Sequence, residues 1–280
     1  NLILPNPGDS TKFYFFGIEL YGTDLYYSTI DMTLDSGRGA VVQRNVLLCD
    51  TTLCEKMTAV KHANGRDWWL LVHERNSNNF FEYLVTPIGI SGPTILTSGS
   101  CIGCGNQYDV GQMIFSNDGS KLAVTNLFGI LDLFEFDRCT GSITLLSNLG
   151  QSNTTGLGYY GCSFSANGNV LYASYMDSLY QFNLSATNIK ASKLLLMSVN
   201  IANYWIGQHL IGPDNKIYIA LGRNNWTTDS LDYYMSVINY PDSIGYACDL
   251  RPHSFWLGGH RSKGGLPNLP HYELGALTGS

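Results

Sequence analysis

One phrase is written three times in this chain, and it limits the possible folds more than any other feature. "FSNDGSKLAVTN" begins at Phe115, "FSANGNVLYASY" at Phe164 and "IGPDNKIYIALG" at Ile211. Each copy leads from a few apolar residues into a turn of Asn, Asp and Gly. An alternating strand follows: Leu122 and Val124, Val170 and Tyr172, Ile217 and Ile219. Asp-Gly and Asn-Gly accept positive φ, as two-residue hairpin turns demand. Looser copies surround Gly65 ("AVKHANGRDWWLLVH") and Gly8 ("LILPNPGDSTKFYFF"). The turn residues Gly8, Gly65, Gly119, Gly168 and Asn215 are spaced by 57, 54, 49 and 47 positions. A period of about fifty with several strands per unit predicts a radial β array.

Each unit supplies about four strands. In the third unit they are "QMIFS", "KLAVT", "LDLFEFD" and "SITLLSN"; in the fourth, "GCSFS", "VLYAS", "SLYQFNL" and "SKLLLMSV". The fifth offers only three, "QHLIG", "KIYIAL" and "MSVINY". Four-stranded sheets repeated radially make a β-propeller, which a two-sheet sandwich does not imitate because it has no repeat. The expected fold is therefore all-β, a propeller of four-stranded blades with five blades legible. With 44% hydrophobic residues, 18 Tyr, 12 Phe and 30 Gly, the composition suits aromatic strands punctuated by turns. A net charge of −6 without a basic cluster argues against nucleic acid and anionic membranes. No apolar run reaches the roughly eighteen residues that span a bilayer.

The segments "EKMTAVKHANGRDWWLLVHE", "YGCSFSANGNVLYAS", "GQHLIGPDNKIYIA", "SVINYPDSIGYACDL" and "SFWLGGHRSKGGLPNLPHYELG" occur in that order. With them the chain resembles a family of secreted β-propeller proteins of Bacteroidota, and the resemblance covers nearly its whole length. It implies export across the outer membrane, a C-terminal type IX secretion sorting domain, and in some members a place in surface adhesins. It implies no catalytic residue and no cofactor. On this basis residues 1–272 form the propeller and 273–280 begin a linker towards the sorting region. The ring is expected to hold six or seven blades, the missing part coming from preceding sequence or a partner chain. The resemblance also implies O-glycosylation at Asp-Ser/Thr sites, for which Ser10, Thr51, Ser178, Ser230 and Ser243 qualify.

Seven cysteines give an odd total. Cys49/Cys54 and Cys101/Cys104 fall between the outer strand of one blade and the inner strand of the next. Two local disulfides are expected there, with a four-thiolate zinc site as the competing reading. Cys139 lies in an outer turn and Cys162 in an inner strand, which speaks against pairing them. Cys248, near the last blade, is a candidate to bond beyond this chain.

No nucleophile elbow, phosphate loop or zinc-protease motif is present. His62 and His209 are placed on inner strands, where a channel ligand would sit. The loops expected to converge on one face carry Tyr159, Tyr160, Tyr204, Trp205, Arg223 and Trp226. Aromatic platforms beside a guanidinium suit recognition of a glycan or protein surface. The reading favoured by sequence is thus a non-enzymatic secreted or cell-surface module that binds protein or glycan. The alternative is a propeller enzyme of lyase, glycosidase or metal-dependent lactonase type, with its site at the channel mouth.

Overall fold

The computed structural model describes residues 1–19, 24–105, 109–150, 156–224 and 230–277. It holds five four-stranded antiparallel sheets, each a propeller blade. The first comprises β1 (Leu2–Asn6), β2 (Asp9–Ile18), β3 (Leu25–Asp31) and β4 (Ala40–Cys49). The second comprises β5 (Leu53–Lys61), β6 (Trp68–Glu74), β7 (Ser77–Thr86) and β8 (Gly89–Ile102). The third has β9 (Met113–Phe115), β10 (Lys121–Asn126), β11 (Ile130–Phe136) and β12 (Ile143–Asn148). The fourth has β13 (Tyr159–Phe164), β14 (Val170–Tyr175), β15 (Ser178–Asn183) and β16 (Leu194–Ser198). The fifth has β17 (Tyr204–Ile211), β18 (Ile217–Arg223), β19 (Tyr234–Ile238) and β20 (Leu250–Trp256).

The repeated turn differs in detail from its expected form. Gly119 N–H donates to the Ser116 carbonyl, and Ser116 N–H donates across to Lys121. Only Gly119 takes positive φ within this loop, at 73°. Gly168, at 69°, and Asn215, at 61°, occupy the same place in the next two copies. These are longer loops needing one left-handed residue, not two-residue turns needing two. Asp118 completes its copy by accepting from Ser120 N–H and Ser116 Oγ–H.

The chain divides into two compact units. One contains Asn1–Asp109, Phe136–Thr144 and Asn268–Ser280; the other contains Val110–Glu135 and Leu145–Pro267. In the first unit, Leu2, Leu4 and Phe16 of the first sheet pack on Trp68, Leu70 and Val72 of the second. Buried Arg138 ties distant backbone together there: it donates to the carbonyls of Lys61 at 2.7 Å and Gly275 at 2.6 Å. In the second unit, β14 is buried on both faces. Leu171 and Ala173 join one core, while Val170 and Tyr172 join the next. Each buried valine or leucine side chain removed from water contributes about 1.5–3 kcal/mol.

The sequence reading missed β20. Its "LRPHSFW" contains Pro252 and a left-handed His253 at φ 50°, and most of it is exposed on the sheet's edge. Such a strand has little apolar alternation to betray it. Among the described residues, no helix is long and apolar enough to cross a membrane.

Candidate functional site

At one end of the fifth sheet, three strands bring charged and aromatic side chains together. Tyr204 opens β17 and is paired in register with Arg223, the last residue of β18. Asp232 lies in a 3-10 turn just before β19. Its Oδ2 is 3.0 Å from Nη1 of Arg261 and 4.0 Å from Nη1 of Arg223. Arg261 Nε donates to the Tyr233 hydroxyl at 3.0 Å, and its guanidinium lies 4.6 Å above the Tyr233 ring. That hydrogen bond, with the neighbouring Asp232, holds the Arg261 proton more firmly than usual. Trp256 closes the group against the rings of Tyr233 and Tyr234.

Asp232 is 2% exposed, and its Oδ1 has no hydrogen-bond partner among the described residues. A buried carboxylate is tolerable here because two guanidiniums face it, and removing them would leave a costly uncompensated charge. Oδ2 is thus committed to cations, while Oδ1 is buried without a hydrogen-bond partner among the described residues.

Beside this cluster, Trp205 lies in a slot made by glycine. A Cβ on Gly222 or Gly264 would collide with its indole ring, and Gly264 also requires φ +79°. Tyr160 meets the Trp205 ring edge to face at 4.7 Å. Behind them, a side chain on Gly161 would strike the Gly207 carbonyl, and one on Gly207 would strike the Gly264 carbonyl. Backbone packs directly on backbone at this column.

Of the six residues expected on one face, Tyr160 meets Trp205 and Tyr204 pairs with Arg223. Tyr160, Trp205 and Arg223 remain partly accessible. Tyr159 and Tyr204, 2% and 3% exposed, are buried and cannot serve as platforms. Trp226 lies outside the described residues. Sequence reasoning missed Asp232 and Arg261, because their contact joins residues 29 positions apart and follows no local spacing.

The cysteine and histidine expectations divide similarly. Cys101–Cys104 is a disulfide, while Cys49 and Cys54 are both free thiols. Cys49 packs against the first unit's core, whereas buried Cys54 points its sulfur at the Glu74 carbonyl and His73 Nδ1. The two side chains therefore do not meet, and burial pushes the Cys54 thiol up to about 12. His62 sits in the β5–β6 turn against Trp69, not on an inner strand. His209 does lie on inner strand β17, fully buried, with Nδ1 3.3 Å from Ser163 Oγ. Burial pushes it down to about 3, so it is neutral. Of the expected glycosylation positions, Ser10 and Ser230 are exposed and Thr51 and Ser243 half-buried. Ser178 is buried in β15 with its hydroxyl bound to Asp177, which leaves no room for a sugar.

No protein-family model matches the chain, and no curated protein matches it. Solved structures do. A candidate 6-phosphogluconolactonase from Bacteroides uniformis is 13% identical with a TM-score of 0.53, covering 90% of this chain and 71% of that one. A periplasmic gluconolactonase from Pseudomonas aeruginosa is 14% identical with a TM-score of 0.55, covering 86% and 68%. The Dos1 propeller is 13% identical with a TM-score of 0.50, covering 78% and 50%. The shared feature is the propeller fold. The expectation of a non-enzymatic adhesion module is corrected by this comparison, since two of these three similar propellers carry lactonase designations.

Proposed function

We propose that this chain is a catalytic propeller that hydrolyses a cyclic sugar ester, a lactone, and acts outside the cytoplasm. The observation that carries the reading is the Asp232 carboxylate, held on one oxygen by Arg223 and Arg261 with the other unpartnered among the described residues. The lactonase designations of two similar propellers support the reaction class. The Cys101–Cys104 disulfide and the periplasmic setting of one neighbour support the compartment.

The chemistry follows from the side chains. In this reading Asp232 Oδ1, buried in the free protein, is reached by water when substrate binds and takes its proton as the water oxygen bonds to the lactone carbonyl carbon. The guanidiniums of Arg223 and Arg261 stabilise the negative charge that develops on the carbonyl oxygen. The ring C–O bond then breaks, and the departing oxygen takes the proton back from Asp232, giving a hydroxy acid. Trp205 and Tyr160 offer an apolar face for the sugar ring. Among the described residues no three His, Cys, Asp or Glu side chains gather as a metal site.

The test is hydrolysis of glucono-δ-lactone and related lactones, followed by proton release above the spontaneous rate. Acceleration lost on Arg261→Gln and Asp232→Asn, with the β-sheet circular dichroism of the folded chain retained, is the expected result. Purified protein that leaves the spontaneous rate of every lactone unchanged overturns the reading.

A further inference from the structure

Of the two guanidiniums at Asp232, one belongs to a strand and the other to an exposed strap. Arg223 ends β18, in register with Tyr204. Arg261 lies beyond the last strand, in the run Gly258-Gly259-His260-Arg261-Ser262-Lys263-Gly264. This strap leaves the fifth sheet after Leu257 N–H donates to the Tyr233 carbonyl at 2.9 Å. It rejoins the sheet where Gln208 N–H donates to the Gly264 carbonyl at 2.7 Å.

The two ends of the strap differ. Gly264 is clamped, since it is buried against the Trp205 indole and its backbone lies against Gly207. Gly258 and Gly259 are exposed, with φ of 64° and 89°, and a Cβ on either would meet nothing within 4 Å. Packing does not demand glycine there; the left-handed backbone does. The four residues between the glycine ends are all polar. Their latches are polar too. Arg261 binds Asp232 Oδ2 and the Tyr233 hydroxyl, and Ser262 N–H donates to the Asp232 carbonyl at 2.7 Å. Leu221 N–H donates to Ser262 Oγ at 3.1 Å. A segment latched without buried apolar side chains opens more readily than the sheet beneath it.

We propose that residues 258–263 form a lid over Asp232, hinged at Gly258-Gly259 and held at Gly264, a role that rests on the catalytic reading of Asp232. Opening admits water and lactone to the carboxylate. Arg223 stays behind on the sheet, so the buried charge is never left without a cation. Closing returns Arg261 to the site, where its charge meets the developing oxyanion.

Amide hydrogen exchange of the whole chain, followed by NMR without substrate, tests the motion. The Ser262 and Leu221 amides are expected to exchange together, about 100-fold faster than Ile219, which is paired on both sides. Labelling with a water-soluble carbodiimide and glycine ethyl ester reads the access to Asp232. Gly258→Ala combined with Gly259→Ala strains only the closed strap, because alanine resists positive φ. In that variant both amide exchange and Asp232 labelling should rise about 5- to 10-fold, with Ile219 unchanged. Ser262 exchange as slow as Ile219, a double variant like the original chain, or faster exchange without faster labelling each overturns the lid. A chain that opens in this way but hydrolyses no lactone keeps the lid and loses only the catalytic reading.

Discussion

Two buried carboxylates, one in each unit, have opposite surroundings. Asp232 of the second unit faces two guanidiniums. Glu82 of the first unit is 3% exposed, and a Cβ on Gly141 would strike its carboxyl group. Each acid has one oxygen without a partner among the described residues. Glu82 lacks the compensating charge, and burial alone raises it to about 8, so it is protonated at neutral pH. Burial therefore does not by itself make a reactive acid. What separates the two is the presence of cations that make a charged form affordable inside the protein.

The largest expected effect tests that contrast directly. Asp232→Asn should lower kcat/KM for lactone hydrolysis by about 10²–10³, as loss of a general base does. Glu82→Gln should leave kcat/KM within about twofold, because a neutral acid is replaced by a neutral amide. Equal losses in the two variants would break the comparison.

Stability against pH sharpens it. His209 titrates near 6.5 when unfolded but only at about 3 in the fold. The unfolded chain therefore gains the proton first, and stability falls as pH drops from 6.5 towards 3, by up to about 5 kcal/mol. Replacing His209 with Gln should flatten that acid limb in denaturant titrations. Glu82 acts at the other side. Its folded value of about 8 lies above the unfolded 4.5, so the native state keeps a proton that the unfolded chain loses. Stability should fall by up to about 5 kcal/mol between pH 4.5 and 8, and Glu82→Gln should abolish that decline.

Smaller effects concern geometry. Gly264→Ala should cost about 2 kcal/mol, from its left-handed backbone and from displacement of Trp205. It should also raise KM more than it lowers kcat. Reduction of Cys101–Cys104 should cost less still, at most about 2 kcal/mol, because so short a loop restricts the unfolded chain little. Paired melting curves with and without reductant measure it.

Much of the fold was legible because it is local. The turn residues Gly119, Gly168 and Asn215 recur beside alternating apolar strands, and one repeat predicts the others. β20 escaped because Pro252 and exposed side chains erase the pattern. The site was only half legible. Arg223 could be placed at a strand end, but its partner Asp232 and the distant Arg261 meet only through folding. Cys54 illustrates the same limit: five residues from Cys49 in sequence, its thiol turns towards His73. Spacing tells which residues are near along the chain, and side-chain direction depends on the sheet each one joins.

The column of Gly161, Gly207 and Gly264 has a consequence for how this protein can vary. Any point change in a glycine codon that alters the residue adds at least one carbon, and at these positions backbone or an indole already fills that volume. A saturation-mutagenesis library selected for folded protein should therefore return these three positions nearly unchanged. They would score as invariant ahead of Asp232, which can be replaced by Asn at little cost in shape. A search that ranks residues by intolerance alone would find the joints between blades first and pass over the chemistry beside them.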